Sequence, residues 1–285
     1  MNTMKKESKN IFTKDKLKEY SPKFLEILKN IQEPINEGLH LVYSNFRTLE
    51  GIGIFQMVLE ENEMEEFKIQ KKIGIWTVDT DSLQKEKRRY VLYTGTETED
   101  QKEIIRNIYN GSWETLSKEM RESLEEMDTT GKKNADGLII QVFMITSAGA
   151  EGINLRNTRF VHIMEPYWHN VRLEQVIGRA RRICSHEDLP ENLRTVQVFV
   201  YLSVMSELQK KSDKYTELRI HDVSKLDASK PITTDENLFE IASFKTKINS
   251  QFLKVIKETA IDCSLYVSKH NEKEKTPLVC MGLVK

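Results

Sequence analysis

Residues Leu138–Ile145 read LIIQVFMI, an almost unbroken apolar run of strand length. A strand that is apolar on both faces must be covered on both. In an ordinary domain that places it centrally in a parallel sheet, with helices packed above and below. The flanking sequence keeps the matching beat of strand, polar tip and helix. Leu39–Tyr43 (LHLVY) is a candidate strand, followed by Ser44-Asn45 and an amphipathic segment over Thr48–Glu60 with Leu49, Ile52, Phe55, Val58 and Leu59 on one face. Tyr90–Tyr93 is another strand, with a turn at Gly95 and a helix over Glu99–Tyr109. Phe160–Met164, a helix over Val171–Ile183, and Val196–Leu202 continue the series. The expected fold is α/β, a mostly parallel sheet of about six or seven strands flanked by helices.

Three segments are expected along the chain. Residues 1–37 form a polar, lysine-rich linker with one amphipathic helix over Tyr20–Ile31. Residues 38–203 carry the α/β domain, interrupted by polar surface insertions near 61–89 and 112–137. Residues 204–285 form a C-terminal helical extension whose last long helix covers Glu236–Ala260.

The balance of charge narrows the partners. With 43 basic and 44 acidic side chains the net charge is −1, so no global field draws the chain to nucleic acid or to an anionic membrane. Any grip on nucleic acid must come from locally placed cations and backbone amides. No apolar run approaches the roughly 20 residues of a membrane span, and MNTMKKESKN has no hydrophobic stretch behind its lysines to make a secretory signal. Cys184, Cys263 and Cys280 are odd in number, far apart and form no CxxC pair. They are expected to be buried or idle thiols of a reducing compartment rather than a disulfide framework or a zinc site. The chain is accordingly expected to be soluble and intracellular, with no membrane partner and no metal ligands of its own.

Chemistry concentrates in Gln175-Val-Ile-Gly178-Arg179-Ala-Arg-Arg182. Leu173, Val176, Ala180 and Ile183 make an apolar stripe at helical spacing, and Arg172, Gln175, Arg179 and Arg182 make a polar stripe beside it. A solvated arginine face is the ordinary explanation, but Gly178 argues against it. Glycine inside a helix costs about 1 kcal/mol, so its presence calls for a packing or access reason. A bulky phosphate chain supplies that reason, and planar guanidinium groups suit several phosphate oxygens at once. Directly after the central strand comes Thr146-Ser147-Ala148-Gly149-Ala150-Glu151-Gly152-Ile153-Asn154-Leu155, where small residues let backbone amides approach a phosphate. Parallel sheets bind ligands at the carboxyl ends of their strands, where this loop falls. His162 lies mid-strand and reads as a satisfied core histidine.

This ordered set resembles the C-terminal, RecA-like lobe of superfamily 2 helicases. TSAGAEGINL is similar to motif V, EQVIGRARR to motif VI (QxxGRxxR), and LVYSNF to motif IV. The AGxEGINL loop and the Trp-bearing EPYWHN segment resemble the Swi/Snf-like branch. YSPKFLEILKNI, SNFRTLEGIGIF, YTGTE and FLKVIKETAIDC are similar to the poxvirus and giant-virus members, of the early transcription factor and nucleoside triphosphatase I type. The likeness covers most of residues 20–265. It implies that Arg179 and Arg182 reach the γ-phosphate of ATP, Arg182 as the arginine finger, with Gln175 coupling two lobes. It further implies that Gly152, Asn154 and Glu151 lie by the ATP. Thr146, Ser147, Ser44, Asn45 and Thr94 would contact the nucleic-acid backbone, giving grip without sequence readout.

The other half of such a site has no counterpart in the sequence. There is no GxxxxGK[ST], since Gly131-Lys132-Lys133 lacks the earlier glycine and the strand, and Asp235-Glu236 follows no buried strand. ATP and Mg²⁺ are thus expected to be held mainly by a first RecA-like lobe outside this sequence, which is the implied partner, and the chain alone is expected to hydrolyse none. DNA is the expected nucleic acid, with viral RNA polymerase or transcription factor subunits as further partners and a host-cytoplasm factory or virion as the setting. The competing expectation is a non-catalytic interaction module of a viral transcription complex.

Overall fold

The computed structural model describes residues 7–48, 51–84, 87–149, 152–211, 233–273 and 277–281. These fall into two compact units, residues 1–166 with 172–204, and residues 167–171 with 205–285.

The first unit is built on a six-stranded sheet in the order β2-β5-β6-β1-β7-β8, every pairing parallel. Its strands are β1 (Leu39–Ser44), β2 (Met64–Glu66), β5 (Arg88–Tyr93), β6 (Val142–Thr146), β7 (Thr158–Ile163) and β8 (Gln197–Val200). A separate hairpin, β3 (Ile69–Lys72) with β4 (Ile75–Val78), sits between β2 and β5 in the chain. Every residue of β1 and β6 is buried, as covering both faces of a parallel sheet requires. The helices are α1 (Ser8–Ile11), α2 (Lys14–Tyr20), α3 (Pro22–Gln32), α4 (Ile52–Glu61), α5 (Glu99–Tyr109), α6 (Lys118–Met127) and α7 (Asn170–Ala180). Ser21 caps α3, with Pro22 in its first turn, and Leu25, Ile27, Leu28 and Ile31 pack into one core cluster with Val42, Phe55 and Val142. A capping box between Thr98 and Gln101 starts α5.

Several expectations are corrected. Residues 61–89 are not purely an insertion, because Met64–Glu66 forms the edge strand of the main sheet, held to β5 by the Arg89 Nε–Glu65 Oε1 pair at 3.2 Å. The apolar run at 138–145 joins the sheet only from Gln141, whose backbone bonds to Arg89 and His40, with the strand proper from Val142. The Asn134 side chain accepts from the amides of Ile139 and Ile140 at 3.0 and 2.8 Å, turning that segment before it reaches the sheet. Ile139 and Ile140 stay fully buried all the same, so hydrophobicity reported burial there and not strand. The helix expected over Thr48–Glu60 begins at Ile52, after the Phe46 and Arg47 carbonyls accept from the Ile52 and Gly53 amides.

The second unit contains α8 (Glu207–Lys210), α9 (Thr234–Thr259) and α10 (Cys263–Lys273). Thr233 and Glu236 form the capping box that opens α9. The cysteine reading is overturned in part, since Cys263 and Cys280 are disulfide-bonded while Cys184 is free and exposed. The 17-residue separation gave no spacing signal. The tail is held near α9 and α10 by Glu258, whose carboxylate accepts from the Val279 amide and whose carbonyl accepts from Met281, and by Asn271, which pairs with the Leu278 amide and carbonyl. Among the described residues no helix is long and apolar enough to cross a membrane.

Candidate nucleotide and nucleic-acid edge

Parallel pairing brings the carboxyl ends of β5, β6, β1 and β7 to one edge. Ser44 pairs with Thr146, and Tyr93 and Tyr43 both lie opposite Ile145. Ser44, Asn45, Thr94, Thr146 and Ser147 therefore share that edge. The loop after β6 lies hard against the loop after β5. The Thr146 hydroxyl donates to the Thr94 carbonyl at 3.2 Å, and a Cβ on Gly149 would stand 2.0 Å from the Tyr93 carbonyl oxygen. Only glycine permits that approach.

The hydroxyls on this edge are largely committed within the chain. Ser44 is fully buried, and its Oγ donates to Glu165 Oε1 at 2.9 Å while accepting from the Phe46 amide. Glu165 Oε2 also accepts from the Asn45 amide at 3.0 Å, and Asn45 Oδ1 accepts from Tyr43 and Arg172. The Thr94 hydroxyl and amide both donate to Glu97. Burial alone would push the Glu97 carboxyl up, but the amides of its own turn and the Thr94 hydroxyl outweigh it and hold it below the ordinary glutamate value. Ser147 is half-buried and carries none of these bonds. The Ser44 hydroxyl is thus fully buried and committed within the chain, with one donated and one accepted hydrogen bond.

Beyond the loop after β6, Gly152 is exposed with φ +72°, a left-handed conformation suited to glycine, and a Cβ there would meet nothing within 4 Å. Asn154 is exposed, and Glu151 lies outside the described residues. The loop is tied down by two contacts the sequence did not announce. Asn110, after α5, donates to the Asn154 carbonyl and accepts from the Arg156 amide, at 2.9 and 2.8 Å. Leu155 donates to the carbonyl of Arg179, joining this loop to α7.

On α7, Leu173, Val176 and Ala180 are buried as their spacing predicts, but Ile183 is 96% exposed. The helix stops at Ala180, whose carbonyl accepts from the Ser185 hydroxyl, and Cys184 turns left-handed at φ +62°. Arg182 therefore stands in the turn after the helix, exposed, its amide donating to Ser185 Oγ. Gln175 is exposed on the helix. Arg179 Nε is buried with no hydrogen-bond partner, and a Cβ on Gly178 would meet nothing within 4 Å. The helix thus carries one inner guanidinium N–H without an acceptor and, one residue earlier, a position open to solvent. The sequence reading missed Glu97, Glu165, Arg47 and Asn110. The first two carry a signal in being acids four and two residues past a buried strand; Asn110 carries none.

Buried polar groups inside the sheet behave differently. His162 and His40 are fully buried, with His40 Nε2 donating to the Asn36 carbonyl at 2.9 Å. That fixes the rest of the chain: His162 Nε2 donates to His40 Nδ1 at 2.9 Å, Tyr201 donates to His162 Nδ1 at 2.8 Å, and Asn30 donates to Tyr201. Burial drives His40 down to about 3 and His162 well below the ordinary histidine value. His162 is the satisfied core histidine the sequence suggested.

A parallel RecA-like α/β lobe with this loop order defines a class, and comparison with known proteins places the chain in a family within it. Residues 25–184 match the helicase conserved C-terminal domain, and the chain belongs to that family. Similar proteins include R563 of Acanthamoeba polyphaga mimivirus, whose name assigns it to the ATP-dependent RNA helicases. It is 31% identical over 88% of this chain and 34% of its own length. R350 of the same virus is 29% identical over 88% of this chain and 24% of its own length. The termination factor NPH-I homolog of African swine fever virus is 29% identical over 86% of this chain and 33% of its own length. This chain thus spans about a third or less of each of these relatives. Among solved structures, the C-terminal part of the Fun30 ATPase domain aligns with 77% of this chain and 50% of its own, at 15% identity and a TM-score of 0.37.

Proposed function

We propose that this chain is the second lobe of a nucleic-acid-dependent ATPase, a helicase or translocase of the Swi/Snf-like viral branch. The observation that carries the reading is the pairing of Arg179, whose Nε lacks an acceptor, with the open position at Gly178, on a helix joined to the loop after β6. Arg179 and Arg182 would donate to the phosphates of ATP, and Gly152 and Asn154 would lie beside the nucleotide. ATP supplies the phosphoanhydride to be cleaved. The chain's own contribution is cationic: guanidinium groups placed to stabilise charge on the leaving phosphate, an effect of about 10³ to 10⁵ in rate for arginine fingers. Mg²⁺ and most of the nucleotide would be held by the first lobe. Asn45 and Ser147 would meet a nucleic-acid backbone, with Thr94 and Thr146 setting the shape of the edge. The helicase names of the mimivirus relatives and the termination-factor name of the African swine fever virus relative support a role in viral transcription or genome handling, in company with transcription proteins.

The test is to join this chain to a first lobe bearing a Walker A motif and measure nucleic-acid-stimulated ATP hydrolysis. The joined protein is expected to turn over and the 285-residue chain to show none. Turnover by the chain alone, or none by the joined protein, contradicts the reading; the second result favours a non-catalytic interaction module.

A further inference from the structure

Two carboxylates sit among donors at the carboxyl edge of the sheet, and they differ in depth. Glu165 holds Ser44 and Asn45 in a set whose hydroxyl is fully buried. Glu97 holds a set that reaches the surface at Gly95 and Thr96, although Thr94 itself is buried. Its Oε2 accepts from the Thr94 and Gly95 amides at 3.0 and 2.9 Å, and its Oε1 accepts from the Thr94 and Thr96 hydroxyls at 3.1 and 3.4 Å. Gly95 and Thr96 are exposed, and Glu97 is only half-buried. Arg47, exposed on the loop after β1, donates to the Thr96 hydroxyl at 2.8 Å and so places a guanidinium at the rim of the same set. Gly95 has φ +93°, the left-handed turn that aims successive amides at one point.

Four N–H and O–H donors converging on one bidentate anion, with a cation at the rim, make an oxyanion site that a carboxylate of the chain itself already fills. A phosphate group presents the same pair of oxygens with more charge and would also engage Arg47. The carboxylate is attached by a flexible side chain at a half-buried position, so it can leave by rotating into solvent without disturbing β5. We propose that Glu97 is a latch on a phosphate site formed by Thr94, Gly95, Thr96 and Arg47, and that a phosphate group displaces it. With the latch closed the edge has low affinity for a phosphate backbone; opening it exposes the donors. This rests on the proposed nucleic-acid reading only for the source of the phosphate, which is either a nucleic-acid backbone or free phosphate.

The experiment uses the whole 285-residue chain, ¹³C,¹⁵N-labelled, as wild type, Glu97→Gln and Glu97→Ala. Inorganic phosphate is the first probe. The Thr94 and Gly95 amide signals are expected to respond at roughly tenfold lower phosphate in Glu97→Ala than in wild type, with Glu97→Gln between. An equal response in all three, or none in any, overturns the latch. Should both variants lose the turn, wild type decides alone: at saturating phosphate the Glu97 carboxyl ¹³C signal should move to that of a solvated carboxylate. A carboxyl signal that stays fixed while the two amides shift also overturns the proposal. A mixed-sequence single-stranded DNA is the second probe, read by anisotropy at fixed salt. Glu97→Gln and Glu97→Ala should bind it about threefold more tightly. Weaker binding by the variants overturns the latch. Unchanged DNA affinity beside the expected phosphate response leaves the latch in place for free phosphate and removes this turn from the nucleic-acid surface.

Discussion

The polar chain inside the sheet and the polar stripe on α7 lie in one lobe and end differently. From Asn30 through Tyr201, His162 and His40 to the Asn36 carbonyl, each donor meets an acceptor within the protein. Along α7 the sequence stops short: Arg179 Nε has no acceptor, Gly178 faces open space, and Gln175 and Arg182 project from the surface. Buried polar groups are costly unless partnered. A network closed on itself is therefore there to define the fold. The α7 stripe is left open at Arg179 Nε, and under the proposed function a phosphate would close it.

The comparison is broken most severely from the closed side. Replacing His162 by Ala leaves a cavity and strips partners from Tyr201 and His40, and should cost about 3 kcal/mol or more, measured by urea unfolding. A loss under about 1 kcal/mol would mean that the chain of bonds does not define the core.

A change of pH sharpens the same side without mutation. Both histidines are held below the ordinary value in the folded state, so the unfolded chain binds more protons once pH falls below about 6.5. Their contribution to stability is complete above that pH and drains as pH drops toward about 3, the His40 value. Between pH 6.5 and 5.5 the two together should cost roughly 2 kcal/mol. A stability flat over that interval would show that the pair takes up protons in the folded state.

On the open side the expected effect is smaller and opposite in sign. Gly178→Ala adds a methyl group where nothing lies within 4 Å and removes a helical glycine, so it should stabilise the chain by about 1 kcal/mol. A destabilised variant would mean that the gap is filled by the protein itself and is no ligand approach.

Much of this was legible in the residues. Periodicity found the buried faces of α3 and α7, and the strand–loop–helix order placed Thr94, Thr146 and Ser44 on one edge. What could not be read were effects of single side chains acting at a distance in sequence. Asn134 holds Ile139 and Ile140 out of the strand, Ser185 ends α7 before Ile183, and Glu258 helps fold the Cys280 tail back toward Cys263. The candidate residues do share an edge of the sheet, but their accessibility was not legible. Ser44 and Thr94 carry the residue types expected of nucleic-acid contacts, yet Glu165 and Glu97 already hold their hydroxyls. Which hydroxyl is committed depends on rotamers and loop packing, which pattern does not encode.

The central claim is that α7 and the turn after it bring arginines to a nucleotide held mainly elsewhere. The direct measurement is ATP binding and ATP turnover side by side, in the chain joined to a first lobe, before and after Arg182→Ala. Turnover should fall by about 10³ or more while ATP affinity changes by only a few-fold. Turnover that survives the substitution would contradict the account.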